Sequence, residues 1–91
     1  MARPTMTDGT LPVLHEILED GRRRAGFQVE ELWTQYLALG GTEPVDRLAA
    51  FLDGSRVPSR QDYDLLAHCL NERLRDLGAD NPVPYGDDLG L

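Results

Sequence analysis

The sequence has no lysine, a single cysteine and no long apolar run. Cys69 has no second cysteine to pair with, so no disulfide within the chain holds the fold together. No apolar stretch approaches the roughly 18 residues that a membrane-spanning helix needs, and no basic-then-apolar leader opens the sequence. We therefore expect a cytoplasmic protein with no membrane partner.

Positive charge is also scarce. Nine arginines stand against sixteen aspartates and glutamates, which gives a formal net charge of −7. Such a protein repels phosphate backbones at long range, and this disfavours nucleic acid as a partner. A local group of arginines can override the net charge, so DNA binding stays open as an alternative.

Apolar residues recur at helical spacing, and no strand-like alternation is present. We predict an all-α fold, a small four-helix orthogonal bundle that forms one domain over residues 10–78. A flexible, disordered leader is expected at 1–9, and a Pro-, Gly- and Asp-rich acidic tail at 79–91, either disordered or docked across the bundle by Val83, Tyr85 and Leu89. The predicted core consists of Leu14, Ile17, Leu18, Leu32, Trp33, Tyr36, Leu37, Leu48, Leu52, Tyr63, Leu66, Leu70 and Leu74.

Capping residues set the expected helix boundaries. Thr10, Thr42 and Ser59 each precede a helical stretch, where a side-chain oxygen can accept from free backbone amides. Ser59 also stands three residues before Asp62, which is the spacing of a capping box. Because Gly21 weakens a helix by about 1 kcal/mol relative to alanine, we expect the first helix to fray beyond it. The predicted helices cover residues 10–26, 27–39, 43–53 and 60–77.

Few residues can carry chemistry. His15 and His68 are far apart in the sequence, and Cys69 points about 100° away from its neighbour His68 on a helix, so the adjacent pair cannot converge on one reacting atom. No metal-ligand spacing, CxxC pair or glycine-rich phosphate loop is present. We therefore predict that the protein is not an enzyme and has no catalytic residue, metal site or cofactor.

Two predicted helices with a glycine corner, 29–39 and 43–53, have the order of a helix-turn-helix. The stretch LDGSRVPS at 52–59 resembles the corresponding segment of bacterial repressor-like helix-turn-helix domains. The alternative function is accordingly a DNA-binding transcriptional regulator that uses Arg47, Arg56 and Arg60. However, the outward positions of 43–53 are mainly acidic, and the corner is longer than the usual three to four residues.

Two surface features favour a protein partner instead. Arg22, Arg23 and Arg24 form a basic triplet, suited to an acidic segment of a partner, of this chain or of a second copy. Leu65 and Cys69 widen the apolar stripe of the fourth predicted helix, which favours a homodimer. A polar face on the same helix is either a partner contact or a solvated face with i, i+4 pairs; it consists of Asp64, His68, Asn71 and Arg75.

A longer framework, ELWTQYLALGG…LAAFLDG…DYDLLAHCLNERL, extends from Glu31 to Leu74. It resembles small uncharacterised helical proteins and domains of high-GC Gram-positive bacteria. The resemblance implies a cytoplasmic, regulatory setting and no established chemistry, and it transfers no functional residue. We predict a small non-enzymatic regulatory module that acts through protein–protein interaction, with a protein partner or a second copy.

Overall fold

A computed structural model describes residues 13–91 of the chain. These residues are 66% helical and contain no strand, so the predicted all-α class is confirmed. The leader predicted at 1–9 and the predicted cap Thr10 lie outside the described residues. The helices are α1 Leu14–Ala25, α2 Val29–Ala38, α3 Val45–Asp53, α4 Arg60–Asp76 and the short α5 Gly86–Leu89.

The core lies where four helices meet. Both α1 and α2 pack against α3 and α4. Three of the predicted core residues, Leu14, Ile17 and Trp33, are partly buried at its edge. The fully buried part of the predicted core consists of Leu18, Leu32, Tyr36, Leu48, Leu52, Tyr63, Leu66, Leu70 and Leu74.

Leu37 was predicted to be a core residue, and this is wrong: it is 39% exposed. The buried positions of α2 are Leu32 and Tyr36, four residues apart, so the buried stripe is narrow. At 100° per residue, Leu37 lies about 120° from the centre of that stripe. Position alone therefore turns its side chain away from the core.

The first helix was predicted to fray beyond Gly21, and in the structure it does not. Helix α1 continues to Ala25, and Gly26 ends it with a left-handed φ of 74°. Gly21 is buried within the helix. Charged side chains of the last turn bond to acids one turn earlier, and these pairs together with the dipole stabilise this end.

Side chains of α2 fix the glycine corner. The Tyr36 hydroxyl accepts hydrogen bonds from the backbone N–H groups of Thr42 (3.2 Å) and Glu43 (3.0 Å) and donates to Asp62 Oδ1 (2.8 Å). The Trp33 indole donates to the carbonyl of Glu43 (2.9 Å). Gly41 lies so close to the Tyr36 ring that it has no room for a Cβ. The corner is a packed bend of the core.

The two later caps predicted from the sequence have different outcomes. Ser59 Oγ accepts from the N–H of Asp62 (3.0 Å), so the cap of α4 is confirmed. Thr42 does not cap α3, because the helix begins at Val45 and its N-cap residue is Pro44, with no side-chain cap hydrogen bond. The cap predicted at Thr42 is therefore wrong, since the N-cap residue is a proline two positions later.

No helix of residues 13–91 is both long enough and apolar enough to cross a membrane.

Candidate partner-binding groove

The chain reverses direction after α4 and returns along it. Gly78 adopts a left-handed φ of 75°, and the N–H of Ala79 donates to the carbonyl of Leu74 (2.9 Å). Residues 81–91 then run antiparallel to α4, over the surface that α4 shares with α1. We call this surface the tail groove; it is formed by Gly21, Arg24, Arg60, Tyr63, Asp64, His68, Leu70 and Asn71. In the structure the tail is docked in this groove.

Asn71 holds the backbone of the tail in the middle of the groove. Its Nδ2 donates to the carbonyl of Val83 (2.9 Å), and the N–H of Val83 donates to its Oδ1 (2.6 Å). Asn71 is 7% exposed, and apart from the tyrosines no other polar or charged residue within 13–91 is buried. The side-chain amide of Asn71 thus takes the place of a neighbouring strand, because it satisfies both the N–H and the carbonyl of Val83.

The Val83 side chain is anchored beside Gly21. It is 1% exposed and belongs to the hydrophobic core. A Cβ added to Gly21 would lie 2.7 Å from Val83 Cγ2 and 3.1 Å from Leu70 Cδ1. We call this space the Gly21 notch. At its edge, Arg24 Nη1 donates to the carbonyl of Asn81 (2.7 Å).

Two further groups of α4 bind backbone atoms of the tail. The Tyr63 hydroxyl donates to the carbonyl of Pro84 (2.7 Å), and the N–H of Gly86 donates to Asp64 Oδ1 (2.7 Å). Burial, with the negative charges of Asp64 and Asp88, raises the pKa of Tyr63 to about 12. The hydroxyl therefore stays protonated and able to donate at neutral pH.

The rim of the groove is more exposed. The Arg60 guanidinium pairs with the carboxylate of Asp87, and its Nη1 donates to the carbonyl of Leu91 (2.9 Å). His68 Nδ1 lies 3.3 Å from the Tyr85 hydroxyl. Exposed contacts of this kind are screened by water and contribute less than the buried ones.

The polar face predicted on α4 is therefore a binding surface that the chain itself occupies. Asp64, His68 and Asn71 are brought together, and all three face the tail. The solvated-face interpretation is wrong for Asn71, which is buried. Arg75 is exposed and lines a neighbouring cleft of about 460 Å³ together with Asp80.

The basic triplet does not present three free charges. Arg22 forms two hydrogen bonds to Glu19, at 2.7 and 2.6 Å, and its side chain is 18% exposed. Arg23 pairs with the same carboxylate at 3.0 Å, and Arg24 pairs with Asp20 at 2.9 Å. The hydrogen bonds and charges of Arg22 and Arg23 lower the pKa of Glu19. The triplet mainly stabilises α1, with Arg23 left the most exposed.

Two of the three arginines predicted for DNA binding pair with other groups of the chain, and the third lies on an exposed loop. Arg47 pairs with Glu43 at 3.5 Å, next to the exposed Asp46 on α3. Arg60 is occupied by the tail. Arg56 is exposed and lines a shallow, mostly apolar groove of about 440 Å³. The outward side of α3 therefore keeps the negative charge that the sequence predicts for it.

The apolar residues behind the homodimer expectation pack inside the monomer. Cys69 is 3% exposed, and Leu65 is partly buried against the core. The observation that favoured a dimer is thereby removed.

The same burial shapes the chemistry of the thiol. Burial raises the pKa of Cys69 to about 11, so the thiol is protonated at neutral pH and is a poor nucleophile. Within residues 13–91, no three His, Cys, Asp or Glu side chains come together as a group that could hold a metal ion.

No protein-family model, curated protein or solved structure matches this chain. The resemblances to helical proteins of high-GC Gram-positive bacteria and to repressor-like domains therefore stay expectations. Functional inference depends on the groove itself.

Proposed function

We propose that this protein is a small non-enzymatic module, cytoplasmic and regulatory, that acts through protein–protein interaction, and that the tail groove is its partner-binding surface. The paired hydrogen bonds between the buried amide of Asn71 and the backbone of Val83 carry this proposal. They are made to main-chain groups, which any extended segment presents. In the described structure, the chain's own residues 81–91 take the place of the partner.

The composition of the groove supports this function. Peptide-binding sites combine a buried apolar anchor point with a few fixed polar groups. Here the Gly21 notch is the anchor point, while Tyr63, Asp64 and Asn71 bind backbone atoms at 2.6–2.9 Å. Such contacts fix an extended segment in one direction and one register.

A peptide-binding titration tests the proposal. The probe is a fluorescently labelled peptide with the sequence of residues 79–91, titrated into the full chain and into a full-chain Val83→Asp variant. The substitution places a carboxylate in an apolar notch, which releases the internal tail but leaves every groove residue in place. We expect the variant to bind the peptide at least about tenfold more tightly than the unmodified chain, because its own tail no longer competes.

A matched peptide is the control. The same peptide with aspartate at its Val83 position should not bind the helical Val83→Asp variant. Equal binding of both peptides would contradict the proposal.

A nicked chain provides a second measurement if Val83→Asp lowers helicity. A protease site inserted between the exposed residues Ala79 and Asp80 allows the tail to be cut while the groove stays unchanged. We expect the cut tail to remain bound and to exchange with labelled peptide. Immediate loss of the cut tail, with no binding of added peptide, would overturn the proposal.

A further inference from the structure

The tail groove contacts side chains of its occupant at defined positions. The first is the Gly21 notch, where Val83 Cγ2 and Leu70 leave no room for a Cβ on α1. Because this helical glycine has no left-handed φ, its role here is to provide space. The Val83 side chain fills that space, whereas a smaller one would leave a cavity and a larger one would overpack it.

The second position is Gly86, three residues after Val83. It is buried, and a Cβ there would lie 3.2 Å from both Arg60 Nε and Asp64 Oδ1. A Cβ there would force these two side-chain ends to move by a few tenths of an ångström and would strain the hydrogen bond from the N–H of Gly86 to the Asp64 carboxylate. The groove therefore favours glycine at this position.

The third position is Asp87, which pairs with Arg60. Both side chains are largely exposed, at 83% and 48%, so the pair adds a preference for an acidic residue without deciding affinity. Read together, the three positions select a valine-sized residue, a glycine three residues later and an acid immediately after it.

A second copy of this chain offers the same contacts as the internal tail and gains nothing over it. The internal tail is present at an effective concentration of roughly millimolar, so an identical segment on another molecule displaces it only at comparable concentrations. An occupant that displaces the tail at ordinary concentrations must fit the same three positions and bind more tightly.

We infer that Gly21 is the specificity-determining residue of the tail groove, and that its external occupant is an extended segment of a partner protein with the pattern of Val83, Gly86 and Asp87. This inference rests on the proposed function of the groove. It adds to that function the side-chain chemistry of the partner and the residue that selects it.

Exchanging the sizes of the two contacting residues tests the role of Gly21. Full chains carrying Val83→Asp alone, or together with Gly21→Ala, are titrated with two labelled peptides of residues 79–91, one with valine and one with alanine at the Val83 position. Gly21→Ala changes the helix propensity of α1 in the same way whichever peptide is bound. The ratio of the two peptide affinities therefore reports the fit of the side chain in the Gly21 notch alone. With Gly21 present, the valine peptide should bind about tenfold more tightly, as expected for burial of its extra methyl groups.

With Gly21→Ala the preference should reverse in favour of the alanine peptide. An unchanged preference in this variant would overturn the role of Gly21, although the proposed function would stand. Binding of neither peptide to Val83→Asp would instead contradict the proposed function. Should the double variant lose helicity, the same ratio is measured on a chain nicked between Ala79 and Asp80, with and without Gly21→Ala.

The other two positions and the source of the occupant have their own measurements. A peptide with Gly86→Ala should bind a few-fold more weakly, because its Cβ must push the Asp64 or Arg60 side chain aside, and one with Asp87→Asn should also bind a few-fold more weakly. Equal binding of the Gly86→Ala peptide would overturn the selection of glycine.

Sedimentation should show the unmodified chain as a monomer up to high micromolar concentration. A dimer within that range would overturn the assignment to a partner protein and identify a second copy as the occupant.

Discussion

Docking of the tail uses the protonated hydroxyl of Tyr63, which donates to the carbonyl of Pro84. Its pKa is raised from 10.0 to about 12, since burial and nearby carboxylates disfavour the phenolate. A group whose pKa is raised by folding contributes stability that is complete below the unfolded pKa and is lost as pH rises through the folded one. The hydrogen bond to the carbonyl of Pro84 should therefore persist at pH 9 and be lost between pH 10 and about 12.

Tyrosinate absorbance and amide exchange of the tail, followed together against pH, measure this transition. A Tyr63→Phe chain is the control, because it lacks both the titrating group and the donor. It should show faster exchange of the tail at neutral pH and no further alkaline step from this site. Ionisation of Tyr63 at its ordinary pKa, or alkaline release of the tail in Tyr63→Phe as well, would contradict the prediction.

From the sequence, Asn71 was predicted to lie on a polar face of the fourth helix, and Gly21 was predicted only to weaken the first helix. Both positions nevertheless carry a signal of burial. Asn71 lies within 60° of Ala67 and Leu74 on a helix, inside the apolar stripe, and Gly21 follows Leu18 by three residues. The position of Asn71 indicates a buried side-chain amide, and that of Gly21 indicates a place where another segment packs closely against the helix. Val83 was predicted as a residue that could dock the tail, but its contact with Asn71 and Gly21 could not be found, because Val83 stands alone between two prolines and has no helical or strand periodicity.

At the scale of the helices, periodicity gave the type and order of the four long elements, since each must bury one apolar stripe. Short features followed from tertiary contacts instead. Helix α5 has four residues, and its start is held by Asp88, whose carboxylate accepts from the N–H of Tyr85 (2.9 Å). The corner before α3 is set by Tyr36, which lies on α2. Local sequence signals do not contain such contacts.

Ser59 and Thr42 give a matched pair of substitutions at helix starts. Both have the sequence signature of a cap, but only Ser59 accepts a hydrogen bond from the first turn of its helix. Ser59→Ala should lower the free energy of unfolding by about 1 kcal/mol, and Thr42→Ala should change it by no more than a few tenths of that. Urea unfolding of both variants, followed by circular dichroism, measures the difference. Equal losses would contradict the assignment of these two helix starts.

We expect the whole molecule to have two levels of stability. Four helices share a continuous core, to which the tail adds the buried Val83 and the partly buried Tyr85 and Leu89, and its other contacts are side-chain hydrogen bonds. Segments with few buried contacts open at lower free energy than the cores on which they lie. The proposed function requires that the tail open in this way without unfolding of the bundle.

Native-state hydrogen exchange with Asn71→Ala tests this separation. The substitution leaves the N–H and carbonyl of Val83 without partners, at a cost of about 1–3 kcal/mol, so the amides of Val83 and Gly86 should exchange about tenfold faster or more. Amides of the core, such as that of Leu66, should change far less. His68→Ala is the control, because its exposed contact with the tail is long, at 3.3 Å, and its loss should barely alter exchange. If Asn71→Ala accelerates the core amides as much as those of the tail, the two open together, and a partner could reach the groove only by unfolding the bundle.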